Sequence, residues 1–544
     1  MRLVPTFNSV SIYIPGNFAN QVTAKIGNGS FLPVRNLWYN GTETVGSLLK
    51  VPEDTTVEVR VGGDTQTTRT WGAFPIGETR TMPSNGLITS GGDPDGWILY
   101  DATGMTLRDI EVSAPYVMLV NGIGRGASGH GLSLIRSVHH VLIDGFDIAN
   151  FGPSGMNFSQ AIGGIGSDGS AVSQIIVQRC KIHEPNGGSL AWDQGGHPGG
   201  PVGVQIKDSN GNNVFRWNHI YSSDDRQHDY KDGLRGGTNA SDNGFPGPDS
   251  DIYGNIISHI KDDCIEVEGG GQNVRVWENY GDQFFTFIAC TPVQLGPLYV
   301  FRNVSDRARR NFNTEDSDAF DGGPFAKCGD GRGRAFFFHN VALQREAPGK
   351  RLKLGVRGGV MGTGGDVFNH YARNNIFQSH DTRGRIYTKG NSDCSYDYNT
   401  IVGVVGDPGH PAESHGEVRS AYVPLTFSFD GTVLEAEAIV EGAVEDVGLG
   451  LSKGLDGPIE VGVSAYEITV LPPTCTIQAR TRAKWVFVTW ESEGAESAFL
   501  NGQPVEPNGT IRELLVAGKT YTISVANTSG ACSSSVTVRG SLVE

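Results

Sequence analysis

Two short stretches hold the densest group of chemically useful side chains. They are His228-Asp229-Tyr230-Lys231-Asp232-Gly233 and Lys261-Asp262-Asp263-Cys264, and 30 residues separate Asp232 from Asp262. Residues 224–268 carry eleven acids against four Lys or Arg. Clustered carboxylates suit two kinds of chemistry. They can bind Ca2+, a hard cation that takes about six to eight oxygens. They can also act as the acid and base that cleave a glycosidic bond, where the spacing of the carboxyls sets the stereochemistry. For the second role the candidates are Asp232, Asp262 and Asp263, with His228 as the proton-transfer histidine beside Asp225 and Asp229. For the first role the candidate ligands are Asp229, Glu266 and Glu268. The competing reading is a solvated acidic loop, because Asp favours turns whatever its function.

A basic block follows. Residues 302–389 hold sixteen Lys or Arg against nine acids. Arg345, Lys350, Arg351, Lys353 and Arg357 are candidates for holding the carboxylates of an acidic sugar, bidentately for Arg. Lys327, Arg332 and Arg334 belong to the same block. Such a block could supply the base and the enolate-stabilising cation of a uronate lyase. Aromatic faces stack on sugar rings. Trp217 and Trp277 are the sugar-stacking candidates, in a set that also includes Trp192, Tyr221, Tyr230 and Phe284, Phe285 and Phe287. Most of that set is expected in a core.

A repeat must position these side chains. FRWNHI, IYGNII, VWENYG, VFRNVS, FFHNVA, ARNNIF and YDYNTI each place an Asn after a short apolar or aromatic run. The residues are Asn218, Asn255, Asn279, Asn303, Asn340, Asn375 and Asn399, at spacings of 37, 24, 24, 37, 35 and 24. Weaker copies lie at 105–113, 140–148 and 175–182. Strand-like runs at this period, with no 3.6-residue periodicity, predict a right-handed parallel β-helix whose core forms only by stacking coils. The recurrent Asn is expected to bond backbone at a tight bend. Stacking would bring Asp232 near Asp262 or Asp263 on the next turn.

The stretch 244–280, GFPGPDSDIYGNIISHIKDDCIEVEGGGQNVRVWENY, resembles the bacterial and phage right-handed parallel β-helix proteins grouped with polysaccharide lyases and glycosidases. DGPIEVGVSAYE at 456–467 resembles, in degenerate form, the DIGAYE ending of such helices. The resemblance covers residues 100 to 467 and implies an extracellular polysaccharide as partner. Asp262-Asp263-Cys264 is similar to the paired aspartates of polygalacturonases. That family also has Asn-Thr-Asp before the pair and Gly-His-Gly then Arg-Ile-Lys after it. Here Gly129-His130-Gly131 precedes the pair, and GRIYTK at 384–389 is only loosely similar.

The expected organisation is all-β. A β-sandwich-like domain covers 1–65 and an irregular lead-in 66–104. The β-helix with its terminal cap covers 105–467, and an immunoglobulin-like sandwich 468–544. In the first domain Val57, Val59 and Val61 share one strand face, opposite Glu58 and Arg60. Cys475 and Cys532 either pair, as suits an extracellular setting, or remain two buried thiols. The other five of the seven cysteines form no CxxC, which argues against zinc.

Composition narrows the function. There are 76 glycines in 544 residues, and the formal net charge is −16. A basic nucleic-acid binder is not expected. No run of 18 apolar residues exists, so no membrane insertion is expected. The opening residues MRLVPTFNSVSIYIPG lack the apolar core of a signal peptide. Two expectations follow: a leader was removed, or the protein belongs to a phage-like particle. The expected location is therefore extracellular, either secreted or on a virion surface. The expected function is recognition, with or without depolymerisation, of a polysaccharide by lysis or hydrolysis. A non-catalytic spike or adhesin is the alternative, as a homotrimer or attached through a terminal domain. Ca2+ is the one cofactor candidate.

Overall fold

The computed structural model describes residues 1–168, 171–192, 196–223, 227–306, 325–342 and 367–378, and shorter stretches from 385 to 538. Among these residues there is no helix. Three long parallel sheets run the length of a solenoid. One has nine strands, from Leu87–Ile88 to Ala326–Cys328. Two have twelve, from Ile76–Thr81 to Ser395–Asp397 and from Thr106–Leu107 to Glu417–Arg419. Each coil from Trp97 to Cys328 gives one strand to each sheet. In one coil these are Asp251–Tyr253, Ile256–Ser258 and Asp263–Glu266, and in the next Val274–Trp277, Tyr280–Asp282 and Thr286–Cys290. The chain is a right-handed parallel β-helix, the hand that parallel crossovers favour.

Register explains why the repeat stays in step. Val177, Phe215, Ile252, Val276, Val300, Phe337 and Ala372 follow one another across neighbouring strands and all belong to the buried core. A slip by one residue would turn this row outward.

All seven recurrent Asn are fully buried and form a ladder. The backbone N–H and the Nδ2 of Asn218 both donate to Oδ1 of Asn255, at 3.0 and 2.9 Å. The same pair of bonds links Asn255 to Asn279, Asn279 to Asn303, Asn303 to Asn340, Asn340 to Asn375 and Asn375 to Asn399. Cys180 starts the ladder by donating its N–H to Asn218 Oδ1, and the Glu413 carboxylate ends it at Asn399. The residue before each Asn takes the left-handed conformation, for example Trp217 (φ 56°), Arg302 (φ 56°) and Tyr398 (φ 60°). That bend turns the chain between two sheets. It strands backbone groups that the Asn amide then satisfies.

The first 69 residues form two four-stranded antiparallel sheets, with Val57, Val59 and Val61 in the core between them. This unit covers the outer face of the first twelve-stranded sheet. There Phe7 joins a second apolar cluster with Trp97, Tyr253, Trp277 and Phe301. Beneath it a fully buried polar group ties the parts together. Arg275 Nε meets Asp251 Oδ1 at 2.5 Å, and Ser9 Oγ donates to the same carboxylate at 2.7 Å.

Residues Ala465–Glu544 form a separate compact unit. Its strands make two antiparallel sheets, and the Cys475–Cys532 disulfide joins one to the other. The remaining five cysteines form no disulfide among the described residues. Most of the 456–467 ending lies outside the described residues.

Candidate active site

The acidic stretches meet on the nine-stranded sheet. Asp232-Gly233-Leu234-Arg235 and Asp263-Cys264-Ile265-Glu266 are adjacent strands, with Leu234 opposite Ile265. Leu234, Cys264 and Ile265 belong to the core, which leaves the charged ends of each strand directed away from it. Gly233 permits this close approach. A Cβ there would lie 2.4 Å from the Cys264 carbonyl oxygen and 2.6 Å from Ile257.

One carboxylate oxygen each from Asp232, Asp262 and Asp263 lies within 4.8 Å of the others, and all three residues are buried. Three cations surround them. Lys327 Nζ lies 2.8 Å from Asp263 Oδ2 and 3.0 Å from Glu268 Oε1. Arg235 Nη1 is 3.1 Å, and Lys231 Nζ 3.4 Å, from Asp232 Oδ2. The Asp263 N–H donates to Asp232 Oδ1 at 3.2 Å. Asn239 donates to Glu266 Oε1 at 3.2 Å and also to Glu268. Among the described residues Asp263 Oδ1 is buried without a hydrogen-bond partner, and Glu266 Oε2 lies 3.4 Å from Arg235 Nε.

These surroundings separate the carboxyls. Burial pushes Asp262 well above the carboxylate range, and the charges of Asp263 and Asp232 push it further. Burial acts on Asp232 too, but Lys231 and Arg235 outweigh it and hold that carboxyl below its ordinary value. Burial, with Asp232 nearby, raises Glu266 to about 8. Burial raises Glu268 to about 7 against the opposing charge of Lys327. Lys327 itself is held above its usual value, since Asp263 and Glu268 overcome its desolvation. Two neighbouring carboxyls are thus pushed in opposite directions, Asp262 up and Asp232 down. Divergent environments of this kind divide acid from base.

The open side of Asp262 is aromatic. Trp192 Nε1 donates to Asp262 Oδ1 at 3.1 Å, and the exposed His197 places Nε2 3.8 Å from Asp262 Oδ2. Trp192 packs on His197 at 4.5 Å and faces Phe285 at 6.1 Å between ring centres.

The structure thus brings together Asp232, Asp262 and Asp263, with Glu266 and Glu268 on the flank. The carboxylate of Asp229 pairs instead with Lys261 at 3.1 Å, and both are buried. His228 is half-buried, and its carbonyl accepts a bond from Ser222 Oγ at 2.8 Å. Trp277 lies on a different sheet, 3 % exposed and stacked between Tyr253 and Phe301 at 4.0 and 5.5 Å. Trp217 is the corner residue before Asn218, with Arg216 4.2 Å over its ring. Arg345, Lys350, Arg351, Lys353 and Arg357 lie outside the described residues. Sequence reasoning missed His197. Its signal was GGHPGG, a Gly-rich loop carrying a His five residues after Trp192.

The three convergent aspartates could hold a metal ion, and neighbouring cations compete for the same oxygens. Asp232 and Asp263 already hold Arg235 and Lys327, Asp229 holds Lys261, and Glu268 holds Lys327.

No family model matches the chain, and no curated protein matches it. Among solved structures it is similar to the catalytic unit of a thermostable GH87 α-1,3-glucanase from Streptomyces thermodiastaticus strain HF3-3. That match has 13 % identity over 77 % of this chain and 87 % of the other, with a TM-score of 0.34. It is also similar to XylC in its complex with xylose, at 10 % identity over 85 % and 86 % of the two chains, with a TM-score of 0.30.

Proposed function

We propose that the protein is a polysaccharide hydrolase whose centre is Asp232, Asp262 and Asp263. The observation that carries this reading is the meeting of the Asp232, Asp262 and Asp263 carboxylates within 4.8 Å, where burial raises Asp262 while Lys231 and Arg235 hold Asp232 down. Asp262 delivers its proton to the glycosidic oxygen as the C–O bond breaks. Asp232, which Lys231 and Arg235 favour as the anion and which lies within 4.8 Å of Asp262, bonds to the sugar carbon as that bond breaks, and a water that gives its proton to the Asp262 carboxylate then displaces Asp232. Lys327 fixes Asp263 and balances charge. Trp192, Phe285 and His197 form the wall against which a sugar ring rests. An inter-sheet disulfide accords with action outside the reducing cytosol.

The test is incubation with a panel of neutral and acidic polysaccharides, following reducing ends and the ultraviolet absorbance of unsaturated uronate together. Reducing ends alone should rise. Asp262→Asn should lower the rate by about 100- to 10 000-fold while the protein stays folded. A parallel rise in absorbance would replace hydrolysis by elimination. Silence on both signals, with polysaccharide still bound, would make the protein a binder.

A further inference from the structure

A second cleft lies on a different sheet from the acidic centre. Trp71, Phe74, Trp97, Tyr116 and His140 surround about 190 Å³ of open space, with Gln174 at the rim. The cleft sits on the outer face of the first twelve-stranded sheet, at the coils that precede those covered by the N-terminal sandwich. Trp97, Tyr116, His140 and Gln174 come from four successive coils, because their strands or flanking corners follow one another in that sheet.

The lining has a definite chemistry. No Lys, Arg, Asp or Glu lines the cleft. Phe74 stacks on Trp97 at 4.4 Å, and Tyr116 on His140 at 4.4 Å. Trp71 meets Phe74 at 5.9 Å with the planes 60° apart. Trp97 is buried at 2 % exposed in the apolar cluster, so the half-buried Trp71, Phe74 and Tyr116 leave a platform and not a box of inward faces. A box is what a quaternary ammonium requires. Polar reach comes from the Gln174 amide, the Tyr116 hydroxyl and the His140 ring. Burial, aided by His139, pushes His140 down to about 4, so its ring is uncharged at neutral pH. The volume equals about six waters in the liquid, which is the space of one sugar ring and not of a long chain segment.

We propose that this cleft is a non-catalytic binding site for one residue of a neutral glycan, placed on a different sheet from the acidic centre. An apolar ring face lies on the aromatic platform, and its hydroxyls reach Gln174 and His140. The site would hold a polysaccharide to the solenoid independently of cleavage, and it does not rest on the hydrolase reading.

Binding of a set of neutral oligosaccharides, including α-glucan and xylan fragments, is measured by calorimetry on the full chain carrying Asp262→Asn. Choline serves as a separate arm. At least one oligosaccharide should bind, and Trp71→Ala should weaken it by about ten-fold. Trp71 also packs on Phe7 at 5.3 Å, so its removal disturbs the fold as well as the cleft. Gln174→Asn keeps a residue tolerant of the left-handed backbone found there (φ 52°) and shortens only the amide. It should weaken the same ligand by several-fold. Binding that neither substitution changes, binding of choline alone, or no binding of any oligosaccharide would each overturn the site. Release of no reducing ends by the parent chain, with the cleft still binding, would instead leave this site standing and the hydrolase reading fallen.

Discussion

Two buried charged groups sit on opposite sides of this solenoid, and they are built differently. Beneath the N-terminal sandwich, every guanidinium nitrogen of Arg275 has an acceptor. Nε meets Asp251, Nη1 meets Ser11 Oγ at 2.7 Å, and Nη2 meets the Asp249 carbonyl at 3.1 Å. Asp251 in turn accepts from Ser9 and Thr6. On the nine-stranded face, five carboxyls crowd around three cations, and Asp263 Oδ1 has no hydrogen bond among the described residues. The first group is closed and joins two parts of the fold. The second is incomplete, carries shifted carboxyls and opens onto Trp192 and His197. A buried charge with all its bonds made serves cohesion, whereas unfilled bonding capacity is available to a substrate.

Exchanging the damage between the two groups should separate these roles. Asp262→Asn should remove most of the activity and leave the melting temperature unchanged or higher, because one source of carboxylate crowding is gone. Arg275→Ala should do the reverse. It strands Asp251 and should cost about 3 to 5 kcal/mol, read by denaturant unfolding, while the folded fraction keeps its specific activity. If Arg275→Ala impaired catalysis as strongly as Asp262→Asn, the contrast would fail.

The ladder sharpens the cohesive side. Asn303→Ala leaves the Asn279 N–H and its amide without their acceptor, together with the Val276 and Phe301 carbonyls that Asn303 Nδ2 serves. Each orphaned group costs about 1 to 3 kcal/mol, so a large loss of stability is expected, with no specific effect on the pH profile of activity.

Glu266 sharpens the open side. Its folded value of about 8 lies above the ordinary 4.5 of a glutamate. The folded state thus binds a proton that the unfolded state releases. Its contribution is full below pH 4.5 and is lost as pH rises through about 8. Glu266→Gln mimics the protonated form. It should raise the melting temperature above pH 8 relative to the parent chain, by about 2–4 °C for each kcal/mol of repulsion removed, and change little in acid. An identical shift at every pH would contradict a titrating Glu266. The smallest effect expected is that of a chelator. With Lys327 and Arg235 supplying the positive charge, EDTA should leave rate and melting temperature unchanged, and restoration of a lost rate by Ca2+ would overturn that.

Much of this molecule was legible in order of sequence alone. The seven Asn and their 24-residue spacing announced the coil, and all seven stand in the ladder, because a period survives only where each repeat meets the same neighbours. Asp232 and Asp262-Asp263 were placed on adjacent turns by the same arithmetic. The Trp residues were harder. Trp277 and Trp192 look alike as local sequence, yet one is sealed under the N-terminal sandwich and the other touches Asp262. Composition and spacing determined the coil, its corners and the meeting of the three aspartates. Tertiary structure alone decided which face a second unit covers, which carboxyl is pushed up and which aromatic meets solvent. Burial and the charges from other coils set those properties, and both depend on residues distant in the chain.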